Sequence, residues 1–195
     1  LIYIIGIISL FSKQYVVDLQ AITPKFAKHI SERQRLQGEL QVARDVQMSF
    51  LPQKSPVYDG IDLAAKCIPA YEVGGDYYDF IKIADNRFGI AIGDVSGKGT
   101  KAAFYMTLTK GFLKATSRFY VSPASILSNM NNMFYENVER GSFISMIYAD
   151  VDITNNSLVI ARAGHNPLLC KRHNSDEVES YKPNGIALGL EKGDI

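Results

Sequence analysis

Hydrophobic and polar positions change their rhythm three times along the chain. Residues 1–11, LIYIIGIISLF, hold nine apolar residues and no charge. At 1.5 Å per residue such a helix spans about 16 Å, half of a hydrocarbon layer roughly 30 Å thick. From Ile22 onward a 4-3 spacing runs through Phe26, His29, Arg33, Leu36, Leu40, Ala43, Gln47 and Phe50, apolar at its ends and polar in its middle. Pro24 suits a helix start and Pro52 a helix stop, so the spacing predicts a helix over 24–53. Two readings of it stand: a seam between two copies, or an amphipathic helix packed on its own domain.

Beyond Asp59 the period shortens to two. Ile61, Leu63, Ala65 and Cys67 alternate with polar or small neighbours, predicting a strand over 61–68. Residues 77–83 and 87–94 flank Ala84-Asp85-Asn86 and predict a hairpin. Helical spacing returns over 99–119, where Ala102, Ala103, Met106, Thr109, Lys110 and Leu113 share a stripe. It returns again after Ser122-Pro123, with Ile126, Leu127, Met130, Phe134 and Val138 inward. A second hairpin is expected from 142–152 and 157–164 around Asn155-Asn156, and a further strand over 167–172. Strands in hairpin groups with helices gathered between them define an α+β class with antiparallel sheets.

Composition narrows the function. A chain of 195 residues, 47% hydrophobic, is long enough for one domain with an appendage. A net charge of +1 excludes a general phosphate-backbone binder, and no nucleic-acid partner is expected. Two cysteines make no disulfide framework, and the three histidines include no His-Glu-x-x-His run. Neither Cys67 nor Cys170 begins a Cys-x5-Arg phosphate cradle: the sixth residues onward are Val73 and Asp176. Gly97-Lys98 imitates a P-loop, but Ile92 and Gly99 stand where that motif needs Gly and Ser or Thr.

The candidate chemistry lies at the two ends of the first hairpin, in Gly74-Gly75-Asp76 and in Gly93-Asp94-Val95-Ser96-Gly97-Lys98-Gly99. Asp76 and Asp94 are equidistant from Asp85, so antiparallel pairing brings them opposite each other within one residue of register. Opposed like charges destabilise a sheet, and two carboxylates forced together share either a proton or a cation. The proton-sharing reading is that of acid proteases and glycosidases. The cation-sharing reading favours Mg²⁺ or Mn²⁺, since no Cys or His adjoins the two segments.

Glu72-Val73-Gly74-Gly75-Asp76-Tyr77-Tyr78-Asp79-Phe80 followed by 93–99 resembles the bacterial metal-dependent serine/threonine phosphatases of the SpoIIE and RsbU type, the bacterial branch of the type 2C (PPM) superfamily. Further matches are Leu40-Gln41-Val42-Ala43-Arg44-Asp45-Val46-Gln47 leading to Leu51-Pro52, Ala163-Gly164-His165-Asn166-Pro167, and Gly185 with Leu188-Gly189. The resemblance implies an αββα sandwich of two antiparallel sheets flanked by helices and two divalent ions, Mn²⁺ or Mg²⁺. It implies Asp76 and Asp94 as metal aspartates, the backbone carbonyl of Val95 as a further ligand, and Ser96, Gly97 and Lys98 lining the substrate loop. Asp79, the next carboxylate, is a further candidate metal ligand, although three residues along a strand it faces away from Asp76. His165, between Gly and Asn-Pro, reads as a hydrogen-bonded turn residue rather than a general acid. The implied reaction is hydrolysis of phosphoserine or phosphothreonine on a regulatory protein of the anti-sigma-factor-antagonist type. A silent phosphoprotein-binding module and a small-molecule phosphatase are the alternatives on this fold.

The family's later Asp-Gly ligand motif has no counterpart here, since Asp59-Gly60 precedes the first domain strand. The expectation is that the motif lies past Ile195 in a parent protein, and that residues 1–195 bind ions weakly and turn over poorly. Residues 1–12 are expected to end a transmembrane helix, the alternative being a buried terminal element. Residues 13–54 are expected to form a helical linker, and 55–195 the N-terminal part of a PPM-type phosphatase domain. Lys13, Lys25, Lys28, Arg33 and Arg35 outnumber Asp18 and Glu32, which by the positive-inside rule puts the phosphatase domain in the cytoplasm behind a membrane-borne sensor region. A homodimer through the linker is the other expected partner.

Overall fold

The computed structural model describes residues 2–119 and 122–194, with side chains described from residue 24 onward. The element order is α1 (Ile2–Phe50), β1 (Asp76–Ala84), β2 (Arg87–Val95), α2 (Gly99–Thr116), α3 (Pro123–Asn137), β3 (Ile144–Asp152), β4 (Ser157–Ala163), β5 (Leu168–Lys171) and β6 (Val178–Tyr181). The chain divides into two compact units, Leu1–Val42 and Ala43–Ile195.

The first unit is helix. Pro24 lies inside α1 rather than at its start. A proline deletes one backbone N–H and its bond, which interrupts a helix locally without ending it. Between residues 24 and 42 the side chains are exposed apart from Leu40, and Phe26, Ile30 and Leu36 are among them. The apolar run 1–11, with the membrane expectation placed on it, lies outside the residues whose side chains are described. Among the described residues no helix is long and apolar enough to cross a membrane.

The second unit is built on a four-stranded antiparallel sheet in the order β1-β2-β3-β4, with β5 and β6 forming a separate antiparallel pair. Each hairpin turns where the sequence carries turn residues: Asp85-Asn86 between β1 and β2, and 153–156 between β3 and β4. Alternation assigns the faces. Tyr77, Asp79, Ile81, Ala91, Val95, Ile144, Met146 and Tyr148 are buried on one side. Against that side α2 lays Ala102, Met106, Thr109 and Leu113, and α3 lays Ile126, Leu127, Met130 and Phe134. α3 begins with a capping box between Ser122 and Ser125, followed by Pro123 in its first turn. Val138, expected to point inward, is the C-cap and only half-buried.

One expected strand is absent and one unexpected strand is present. Residues 61–68 are not a strand; only Ile61 forms an isolated bridge, with Tyr58. Their alternation reflects Ile61, Leu63 and Cys67 lying half-buried over the sheet while the backbone pairs with no ladder. β6 (VESY), fully exposed, carries none of the apolar alternation that marks a strand and forms because β5 offers it an edge.

Candidate metal centre

β1 and β2 bring the two acidic segments together. Their ladder pairs Asp76 with Asp94, Tyr78 with Ile92 and Phe80 with Ile90, and shifts register only near the turn, between Lys82 and Ala84. β2 in turn pairs with β3, and Asp94 stands opposite Ser145. Partners in register share a face, so Asp76, Asp94 and Ser145 form a row across three strands, on the side away from α2 and α3.

The backbone beneath the row is closely packed. A Cβ on Gly75 would lie 2.7 Å from the Val95 carbonyl oxygen and 3.2 Å from Asp94 Oδ1. Only glycine leaves that gap, and through it the Val95 carbonyl and the Asp94 carboxylate gather at one point. The Val95 amide donates to the Gly75 carbonyl at 3.3 Å. The end of α1 grips the incoming loop: Gln47 Nε2 donates to the Gly74 carbonyl at 2.7 Å, and the Gly74 amide donates to Gln47 Oε1 at 3.1 Å. Arg44 Nη1 donates to the carbonyls of Tyr71 at 3.0 Å and Glu72 at 3.4 Å. Arg44 and Gln47 belong to the 40–47 motif, which thereby fixes the loop that delivers Asp76.

Asp79 stands apart from the row. It is buried on the helical side, 2.9 Å from Lys110 Nζ and 3.6 Å from Lys114 Nζ, and accepts a hydrogen bond from the Tyr77 hydroxyl at 3.0 Å. Its charge is already answered there, on the face opposite Asp76. Ser96 is spent on the backbone, its hydroxyl accepting from the Phe143 amide at 2.9 Å while its own amide donates to the Phe143 carbonyl at 2.8 Å. Gly97 is exposed, and Lys98 is the N-cap of α2, its Nζ 6.0 Å from the centroid of the Tyr71 ring.

The electrostatics reflect the crowding. Burial and then the neighbouring Asp76 charge push the Asp94 carboxyl above the ordinary carboxylate range, partly offset by His165. Burial, followed by the Asp76 charge, likewise raises the Cys67 thiol. Burial holds the His165 imidazole below its ordinary value against the pull of Asp94. A cleft of about 180 Å³ is bordered by Gln47, Cys67, Gly75, Asp76, Asp94 and Lys98. A larger one of about 710 Å³, with Tyr78, Ile92, Ile147 and His165 in its walls, is also bordered by both aspartates. Among the described residues no three His, Cys, Asp or Glu side chains converge as a complete metal cage. Two opposed carboxylates and one carbonyl make an all-oxygen donor set, which fits a hard divalent ion that keeps part of its water shell.

Sequence reasoning does not reach Ser145, fifty-one residues from Asp94 and recognisable only once the β2–β3 register is known. It finds in 40–47 a resemblance without a role, although an Arg and a Gln three residues apart on a helix end are the available signal.

Comparison with known proteins agrees with this architecture. The family model for stage II sporulation protein E (SpoIIE) matches residues 84–195. The phosphoserine phosphatase RsbU of Bacillus subtilis is 31% identical over 158 residues, covering 81% of this chain and 47% of RsbU. The phosphoserine phosphatase RsbP of the same organism is 28% identical, covering 67% of this chain and 33% of RsbP. The chain thus spans less than half the length of either relative. Among solved structures, the SiaA-PP2C domain of Pseudomonas aeruginosa superposes with a TM-score of 0.66 at 18% identity, over 82% of this chain and 65% of that one. The PP2C phosphatase domain of SpoIIE from Bacillus subtilis gives 0.54 at 20% identity, over 63% and 36%. The chain therefore belongs to the SpoIIE family and has the α+β fold of its PP2C domains.

Proposed function

We propose that this chain carries the catalytic region of a metal-dependent protein phosphatase that hydrolyses phosphoserine or phosphothreonine esters. The observation that carries the reading is the direct register of Asp76 on Asp94. Two carboxylates held opposite each other, one with a raised affinity for protons, gain most when a shared cation replaces the proton. Asp76, Asp94 and the Val95 carbonyl are the residues that would hold divalent ions, two in the full site, with Mn²⁺ or Mg²⁺ matching the oxygen donors. Such ions supply neutralisation of the phosphoryl charge and a water acid enough to attack at neutral pH. The protein's own part is positional. Gln47 and Arg44 fix the loop before Asp76, the Gly75 gap admits the Val95 carbonyl, and Lys98 at the cleft edge offers a cation to an arriving phosphate.

The phosphorylated substrate is, on this reading, a small regulatory protein of the anti-sigma-factor-antagonist kind, supported by the resemblance to RsbU and RsbP. The basic residues after the apolar run support a membrane-anchored chain with a cytoplasmic phosphatase domain, and the 4-3 spacing with Phe26 and Leu36 exposed supports a linker that pairs two copies. The test is cleavage of p-nitrophenyl phosphate and of a phosphoserine peptide, with and without Mn²⁺, by a parent chain extended past Ile195 to include the expected Asp-Gly motif; residues 1–195 alone are expected to turn over poorly. Mn²⁺-dependent cleavage lost in Asp94→Asn is the expected result. Asp94→Asn as active as the parent overturns the site; Mn²⁺ binding without cleavage in the parent overturns the enzyme in favour of a silent binding module.

A further inference from the structure

The 163–167 segment enters the site from β4, and its histidine lies outside the oxygen donor set. Its placement is unusually fixed. Gly164 adopts φ +65°, and a Cβ there would lie 2.9 Å from the Ala187 amide nitrogen, so the turn that presents His165 requires glycine. The Gly164 amide donates to the Gly185 carbonyl at 3.1 Å, and Gly164 bridges to Met146 in parallel register. Arg162 Nη1 donates to the His165 carbonyl at 2.6 Å while its Nε donates to the Pro183 carbonyl at 2.8 Å. The imidazole is anchored as well: Nδ1 lies 2.8 Å from Ser145 Oγ. Ser145 is the register partner of Asp94, and the half-buried ring lines the same cleft as Asp76 and Asp94.

From this geometry we infer that His165, fixed by Ser145 and Arg162, is a positioning residue that sets the cation affinity of the Asp76–Asp94 pair by acting on Asp94. The inference rests on the cation site proposed above. With Nδ1 committed to Ser145, Nε2 is the ring nitrogen left free for the cleft that Asp76 and Asp94 border. A ring fixed in that place acts on the Asp94 charge across the shared cleft, and so on the ion the pair would hold. Groups that hold a metal's ligands in place commonly change its affinity by about 10–100-fold. A ligand role for His165 fits less well, because the described His, Cys, Asp and Glu side chains do not converge in threes.

The experiment is Mn²⁺ titration of the 195-residue chain, followed by the electron paramagnetic resonance of free Mn²⁺, for the parent, His165→Ala, His165→Gln, Ser145→Ala, Asp76→Asn and Asp94→Asn. Expected are about tenfold weaker binding in His165→Ala and a smaller loss in Ser145→Ala. Partial rescue in His165→Gln is expected too, because it restores a side-chain N–H. Electron spin-echo modulation of bound Mn²⁺ is expected to show no directly coordinated imidazole nitrogen. His165→Ala binding within twofold of the parent while Asp94→Asn abolishes binding overturns the inference alone. A directly coordinated nitrogen overturns it in favour of a ligand. Unchanged binding in Asp76→Asn and Asp94→Asn overturns the cation site itself, a separately readable result.

Discussion

Removing the Gln47 side chain tests whether the end of α1 is part of the site. Gln47 is 6% exposed and hydrogen-bonds both backbone groups of Gly74, its carbonyl at 2.7 Å and its amide at 3.1 Å. Each such bond contributes about 1 kcal/mol net, and Gly74, half-buried, is only partly re-solvated when they go. Alanine's better helix propensity returns a few tenths, leaving Gln47→Ala less stable by about 2 kcal/mol. With a urea slope of about 2 kcal/mol/M, the unfolding midpoint should fall by roughly 1 M. Mn²⁺ affinity should fall several-fold with it, because Asp76 lies two residues beyond Gly74. Gln47→Glu is the sharper variant: it replaces the Nε2 donor with an oxygen facing the Gly74 carbonyl, tolerable only when that oxygen is protonated. Its folded-state pKa is then raised above the ordinary glutamate value of about 4.3, so its deficit against the parent is small below that pH and grows as pH rises. A midpoint shift under about 0.3 M for Gln47→Ala, or a pH-independent deficit for Gln47→Glu, refutes the clamp.

Other outcomes follow from the same geometry. Gly75→Ala places a methyl 2.7 Å from the Val95 carbonyl and should weaken Mn²⁺ binding at least tenfold, read by the same titration. Asp79→Asn leaves Lys110 without its buried partner and should cost about 2–3 kcal/mol in urea while leaving Mn²⁺ affinity within twofold, since Asp79 faces the helices. Because the Asp94 carboxyl is raised by burial and by Asp76, that group binds its proton more tightly in the folded metal-free protein than in the unfolded chain. Its own contribution to stability should therefore fall as pH rises through the window just above the ordinary aspartate range. Asp94→Asn should stabilise the metal-free protein at pH 7, with the gain vanishing below about pH 4, measured by thermal unfolding.

What the sequence disclosed follows from the range of the forces involved. The Asp76–Asp94 register was legible because a short turn at Asp85-Asn86 is a local signal and an antiparallel ladder propagates it with period two. The buried stripes of α2 and α3 were legible for the same reason, each being set by residues within a few turns. Residues 61–68 misled because half-burial over a sheet gives the same alternation as half-burial within one. The helix through Pro24 exceeded its expected start because a first-turn preference of proline does not forbid an interior place. Gln47 on Gly74 and His165 on Ser145 were invisible in the sequence, since each pair is brought together only by the finished packing of distant segments.

Whether Asp76 and Asp94 jointly hold a divalent cation is decided by the anomalous diffraction of crystals grown with Mn²⁺. A manganese peak within about 2.5 Å of both carboxylates, lost in Asp94→Asn, is the expected outcome. Manganese bound elsewhere, or the two carboxylates paired through a shared proton in its presence, would overturn the site and the phosphatase chemistry built on it.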